Sequence, residues 1–105
     1  MNVAIDYDDT YTLNPNLWNQ IIEIFMKQNN NVYCVTKRYE DNAQDIVEAF
    51  ANINVPIIYA IKSKLEAVSE AGIKIDVWID DKPQSIYPYR LLNNNINRRF
   101  NKWKT

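Results

Sequence analysis

The chain alternates between two apolar rhythms. Runs of four or five apolar residues stop abruptly at polar ones, and between them apolar residues recur every three or four positions. The first rhythm predicts buried strands and the second amphipathic helices. Asn2-Val3-Ala4-Ile5 is one run, stopped by Asp6. Val32 to Val35 is the second, stopped by Thr36. Pro56 to Ala60 is the third, and Ile75 to Ile79 the fourth, stopped by Asp80-Asp81-Lys82-Pro83.

Between the first two runs, Asn14 stands as N-cap and Pro15 as first helical residue. Leu17, Trp18, Ile21, Ile22 and Phe25 then keep helical spacing to about Gln28. Asn29-Asn30-Asn31 ends that helix, because asparagine tolerates the left-handed conformation a C-cap needs. A second helix is expected from about Glu40 to Asn52, with Ala43, Ile46, Val47 and Phe50 on its inner face. Ser63-Lys64-Leu65-Glu66 has the form of a capping box, Ser63 being the N-cap. That third helix runs to Ala71, and Gly72, the only glycine, takes the position after its cap.

This alternation predicts an α/β fold. It would be a single Rossmann-like three-layer domain whose parallel sheet of about four strands, joined by right-handed crossovers, is flanked by helices. No repeat or linker divides residues 1–105. The segment from about 86 to 105 carries Arg90, Arg98, Arg99, Lys102 and Lys104 with no acid, interleaved with Phe100 and Trp103. It reads as a final helix whose basic face is solvated, forms an oligomer contact, or contacts nucleic-acid phosphates.

Composition narrows the chemistry. With 105 residues and 47% apolar content there is room for one domain, whose core needs no disulfide or structural metal. A net charge of −1 gives no global pull toward nucleic acid or membrane. Cys34 is alone and lies in an apolar run, so it reads as a small buried hydrophobe. Asp6 interrupts the apolar start too early for a signal peptide, no run approaches the roughly 20 residues of a membrane span, and the expected location is cytoplasmic. Histidine is absent. That excludes Ser-His-Asp triads, Cys-His dyads, histidine zinc sites and phosphohistidine, and leaves carboxylates, lysines and tyrosines as acids and bases.

In a parallel α/β sheet, ligands bind beyond the carboxyl ends of the strands. The first strand delivers Asp6, Asp8 and Thr10 there, and the second Thr36, Lys37 and Arg38. The third leads to Lys62 and Lys64 at a helix start, and the fourth delivers Asp80 and Asp81. Taken singly, each is an ordinary surface feature; their conjunction is not. Four carboxylates on one edge repel each other unless a hard, oxygen-seeking cation such as Mg²⁺ sits among them. A phosphoryl group would give the hydroxyl and the lysines a partner. An EF-hand is excluded, since the loop would need Gly and Glu where Tyr11 and Leu17 stand.

These residues resemble the haloacid dehalogenase-like superfamily of phosphohydrolases. Its first motif is matched by Val3-Ala4-Ile5-Asp6-Tyr7-Asp8-Asp9-Thr10, and its second by Tyr33-Cys34-Val35-Thr36 followed by Arg38. A lysine at a helix start matches the third, and Asp80-Asp81 after Val77-Trp78-Ile79 the fourth. The resemblance implies Asp6 as nucleophile forming an aspartyl-phosphate, and Asp8 as general acid and base. It implies Mg²⁺ on Asp6, the Asp8 backbone carbonyl and Asp80, with Asp81 close by. The phosphoryl group would be bound by Thr36 and a lysine, Lys64 in preference to Lys62, with Arg38 and Thr10 as further candidates.

The chain departs from the pattern at Asp9, where many members carry glycine. It also leaves no room for a cap domain, because a short loop and one helix use up the stretch between Thr10 and Thr36. The implied substrate is therefore a phosphomonoester met at an open site: a nucleotide, an oligonucleotide end or a phosphoprotein. A receiver-type phosphoacceptor needs an Asp after the third strand, and none follows Ile57-Ile58-Tyr59. A catalytically silent module that only binds phosphate and Mg²⁺ is the alternative.

Overall fold

The structure is a computed structural model and describes residues 1–88. Four parallel strands, β1 (Asn2–Ile5), β2 (Asn31–Thr36), β3 (Ile57–Tyr59) and β4 (Val77–Ile79), form one sheet in the order β3-β2-β1-β4. Three helices connect them: α1 (Pro15–Lys27), α2 (Gln44–Ala49) and α3 (Lys64–Glu70). This is the α/β architecture that the apolar rhythm predicts. No described helix is long and apolar enough to cross a membrane. The expectation of a basic final helix falls on residues 89–105 and lies outside the described residues.

Side chains alternate across the sheet with period two. Val3, Ile5, Val32 and Cys34 face one side, where Ile22 of α1 and Ile46 of α2 close the larger core. Ala4, Val35 and Trp78 face the other, against Val68 and Leu65 of α3. The chain steps from β1 to β2 to β3 with helices on one face, then returns past β1 to β4 with its helix on the other. Right-handed crossovers require this change of face when the direction of travel reverses. The reversal puts β1 between β2 and β4, with Ile5 opposite both Cys34 and Ile79. The switch-point crevice, where such sheets bind ligands, therefore opens between Asp6 and Asp80.

Local signals set the helix ends. The Asn14 side chain accepts a hydrogen bond from Leu17 N–H (3.2 Å), and Asn29 (φ 63°) turns the chain left-handed after α1. Ser63 Oγ accepts from Glu66 N–H (3.1 Å), and Gly72 (φ 74°) follows the end of α3.

The second helix differs from expectation. Glu40–Asn42 form a separate 3-10 turn, and α2 starts at Gln44 and stops at Ala49. Tyr39 makes no side-chain cap for a helix starting at Glu40, and Arg38 holds the Asn42 carbonyl at 2.9 Å. Ala43, Ile46 and Phe50 are buried, but Val47 is 45% exposed, since six residues present only one narrow stripe to the sheet. Leu17, on the first turn of α1, is likewise exposed.

Candidate active site at the carboxyl edge of the sheet

Asp6 is the first residue beyond β1, and its N–H donates to the Ile79 carbonyl (2.9 Å), tying it to the end of β4. From there the chain folds into a tight loop: Tyr11 N–H donates to the Asp6 carbonyl, Thr12 N–H to the Tyr7 carbonyl, and Asp9 N–H to Thr12 Oγ1 (3.0 Å). Tyr7 and Tyr11 are buried and stacked, with centroids 5.7 Å apart, and both pack on Phe50. These two rings anchor the loop in the core and leave Asp6, Asp8 and Asp9 lining a cavity. Asp9 sits at φ 58°, a left-handed conformation that aspartate tolerates better than most residues.

The cavity holds about 170 Å³ and is also lined by Thr36, Lys64, Asp80 and Asp81. Pockets that enclose drug-sized ligands hold roughly 300 to 1,000 Å³. This one suits a small charged headgroup, with the rest of the molecule outside.

Lys64 is the central cation. As first residue of α3 it is 2% exposed, and its ammonium donates to Asp6 Oδ1 (2.9 Å) and Asp80 Oδ2 (2.5 Å). Burying a lysine is costly unless its charge is met by partners, and here two carboxylates meet it. Asp80 also accepts from Lys82 N–H at 2.9 Å. Asp81 and Thr10 bond reciprocally: Thr10 Oγ1 donates to Asp81 Oδ1 and accepts from Asp81 N–H, both at 3.2 Å. Burial pushes the Asp6 carboxyl up to about 6; contact with Lys64 opposes this, and the nearby Asp81 carboxyl adds to it. Hydrogen bonding between the two carboxyls acts oppositely on Asp81, holding it below the usual carboxylate range.

Asp6, Asp80 and Asp81 each offer a carboxylate oxygen, all within 4.8 Å of one another. With Lys64 the group carries three negative charges and one positive, a net of −2 that a divalent cation balances. The donors are all oxygen, as a hard cation requires. These residues fit Mg²⁺.

Other expected site residues fall into place less uniformly. Thr36 is buried at the cavity wall; its Oγ1 accepts from Arg38 N–H (3.1 Å), and no described acceptor takes its proton. The Asp8 carboxylate is outside the three-acid group and is gripped by Arg38 through Nε and Nη2 (2.9 Å each). Thr10 orients Asp81 rather than lining the cavity. Lys62 does not line the cavity either; only its carbonyl takes part, accepting from Lys37 Nζ. A capped helix start directs Lys64 at the strand ends, whereas Lys62 precedes the cap.

Lys37, Lys82 and Ser85 also line the cavity; Lys37 is expected at that edge from its place after β2, whereas Lys82 and Ser85 carry no expectation from the sequence. Lys82 directly follows the Asp80-Asp81 pair, which is its only signal, and Ser85 lies four residues beyond that pair with none. No family model, curated protein or solved structure matches the chain, so the chemistry rests on the geometry of the site itself.

Proposed function

We propose that this protein is a Mg²⁺-dependent phosphomonoester hydrolase working through an aspartyl-phosphate on Asp6. The observation that carries the reading is the buried contact of Lys64 with Asp6 and Asp80 beside Asp81, at the floor of a cavity sized for a headgroup.

In the first step an Asp6 carboxylate oxygen attacks phosphorus. The bond from phosphorus to the leaving oxygen breaks, and Asp8 gives that oxygen a proton. In the second step Asp8 takes a proton from water as the water oxygen attacks phosphorus, releasing inorganic phosphate and restoring Asp6. Splitting the displacement in two avoids one difficult barrier, and the same carboxyl serves both steps as acid and then base. Lys64 and the Thr36 hydroxyl supply donors for the phosphoryl oxygens. Asp6, Asp80 and Asp81 would hold Mg²⁺, which when bound neutralises the charge that builds on those oxygens.

A catalytically silent module would keep the cation and phosphate contacts without turnover. Asp8, on the cavity wall with a half-exposed carboxylate, favours the hydrolase. The test is a screen of nucleotides, 3′- and 5′-phosphorylated oligonucleotides, sugar phosphates and phosphopeptides with Mg²⁺ and with EDTA. The wild type releases phosphate from at least one class only with Mg²⁺, and Asp6→Asn and Asp8→Asn do not. Turnover surviving either substitution rules out the mechanism. A beryllofluoride adduct on Asp6 without turnover supports the silent module.

A further inference from the structure

Arg38 has five N–H donors, and all five are engaged. Nε donates to Asp8 Oδ2 (2.9 Å), and Nη2 donates to Asp8 Oδ1 (2.9 Å) and Asp45 Oδ2 (3.0 Å). Nη1 donates to Asp45 Oδ1 (3.0 Å) and to the Asn42 carbonyl (2.9 Å). The Tyr7 ring lies 5.8 Å from the guanidinium carbon. A guanidinium has no sixth donor. A phosphoryl oxygen could bind here only by breaking one of these contacts.

We propose that Asp45 and Arg38 are positioning residues that aim the Asp8 carboxylate, and that Arg38 is not a phosphate ligand. This rests on the reading of Asp8 as the acid and base of the reaction. No other described side chain or backbone donor bonds to Asp8, so Arg38 alone sets the direction of its carboxylate. Arg38 in turn is fixed from outside. Two paired bonds to Asp45 lock the plane of the fork, and the Asn42 carbonyl holds its edge. The late start of α2 makes this geometry available, since it places Asp45 on the first turn beyond the loop that follows β2. Paired carboxylate–guanidinium bonds fix orientation as well as distance, which a single lysine contact cannot do. Asp45 does not line the cavity, so it acts only through Arg38.

The experiment compares wild type with Asp45→Ala, Asp45→Asn and Arg38→Lys. Misaiming a reacting group typically costs on the order of tenfold to a hundredfold in rate. All three variants lose kcat on that scale, while inhibition by inorganic phosphate with Mg²⁺ changes by no more than about twofold. Arg38→Lys belongs with the others because it keeps the charge but loses the fork. Unchanged kcat in the Asp45 variants overturns the proposal, as does phosphate inhibition that weakens along with kcat.

A second readout needs no turnover. The Arg38 Nε–H signal in a nitrogen-15 spectrum shifts in Asp45→Ala and stays in place when inorganic phosphate and Mg²⁺ are added to the wild type. A signal that moves with phosphate makes Arg38 a phosphate ligand and overturns the proposal. If no substrate is hydrolysed yet the signal behaves as stated, the hydrolase reading fails while the Asp45–Arg38–Asp8 arrangement stands.

Discussion

The Lys64 ammonium lies 2.9 Å from Asp6 Oδ1, a side-chain contact between residues 58 positions apart that both sit beneath the cavity. It joins the start of α3 to the end of β1. Removing one partner of a buried ion pair leaves the other uncompensated, at about 3 to 5 kcal/mol. Lys64→Met therefore loses that much in urea unfolding with EDTA present, and Mg²⁺ restores part of it by replacing the missing positive charge. In the wild type, a cation at a hundred times its Kd adds about 2.7 kcal/mol. If unfolding of Lys64→Met matches wild type in EDTA, the ammonium does not balance these acids.

The Asp6 carboxyl, pushed up to about 6, makes cation binding pH-dependent. Its folded value exceeds the ordinary 3.8, so in metal-free protein its stabilising contribution is full below about 3.8 and is lost as pH rises through 6. Asp81 is lowered and acts the other way, losing its contribution only in stronger acid. Mg²⁺ needs the ionised Asp6, so below pH 6 its affinity falls roughly tenfold per pH unit as one proton is displaced. Calorimetry between pH 5 and 8 should show proton release on Mg²⁺ binding near pH 5.5 and little at pH 8. Affinity that is flat across this range would contradict the assignment.

Asp9 is the acid to which the mechanism gives no task, and its φ of 58° explains why so many residue types would be poor there. The left-handed conformation costs most residues about 1–2 kcal/mol, and a β-branched side chain more than aspartate. Asp9→Val should lower stability by at least about 1 kcal/mol in chemical denaturation, while Asp9→Gly stays within about 1 kcal/mol of wild type. Equal losses for Val and Gly would mean that the carboxylate, and not the backbone, determines what is tolerated.

Thr10 holds Asp81 from both sides of its hydroxyl. Thr10→Val keeps the shape but strands the Asp81 N–H and frees the carboxylate to rotate. Outer-sphere partners of metal ligands are typically worth about 10- to 100-fold in affinity. Mg²⁺ titration of Thr10→Val, followed by thermal shift, should fall in that range. Wild-type affinity in the variant would show that Asp81 is not fixed by Thr10.

Much of this arrangement is legible along the chain because local signals and global packing agree. Asn14-Pro15 and Ser63-to-Glu66 fix the starts of α1 and α3, and the start of α3 sends Lys64 and not Lys62 to the site. Strands that end in Asp6, Thr36 and Asp80 place those residues on one edge once the sheet is parallel. The sequence is silent on neighbour order: only the return past β1 brings Asp80 beside Asp6. It is also silent on side-chain aim. Arg38 reads equally well as a phosphate ligand until Asp45 and Asn42 take its remaining donors, and that depends on a helix two turns shorter than its apolar spacing suggests. Lys82 and Ser85 reach the cavity through a 3-10 turn after β4, which has no apolar period to announce it.

The central claim is that Asp6 carries the phosphoryl group. Borohydride quenching during turnover with Mg²⁺ reduces an acyl phosphate to an alcohol, and peptide mass mapping then locates it. The mechanism predicts homoserine at position 6 in the wild type, and none with EDTA or in Asp6→Asn. Sustained hydrolysis with an unmodified Asp6, or with the label on another acid, would contradict it.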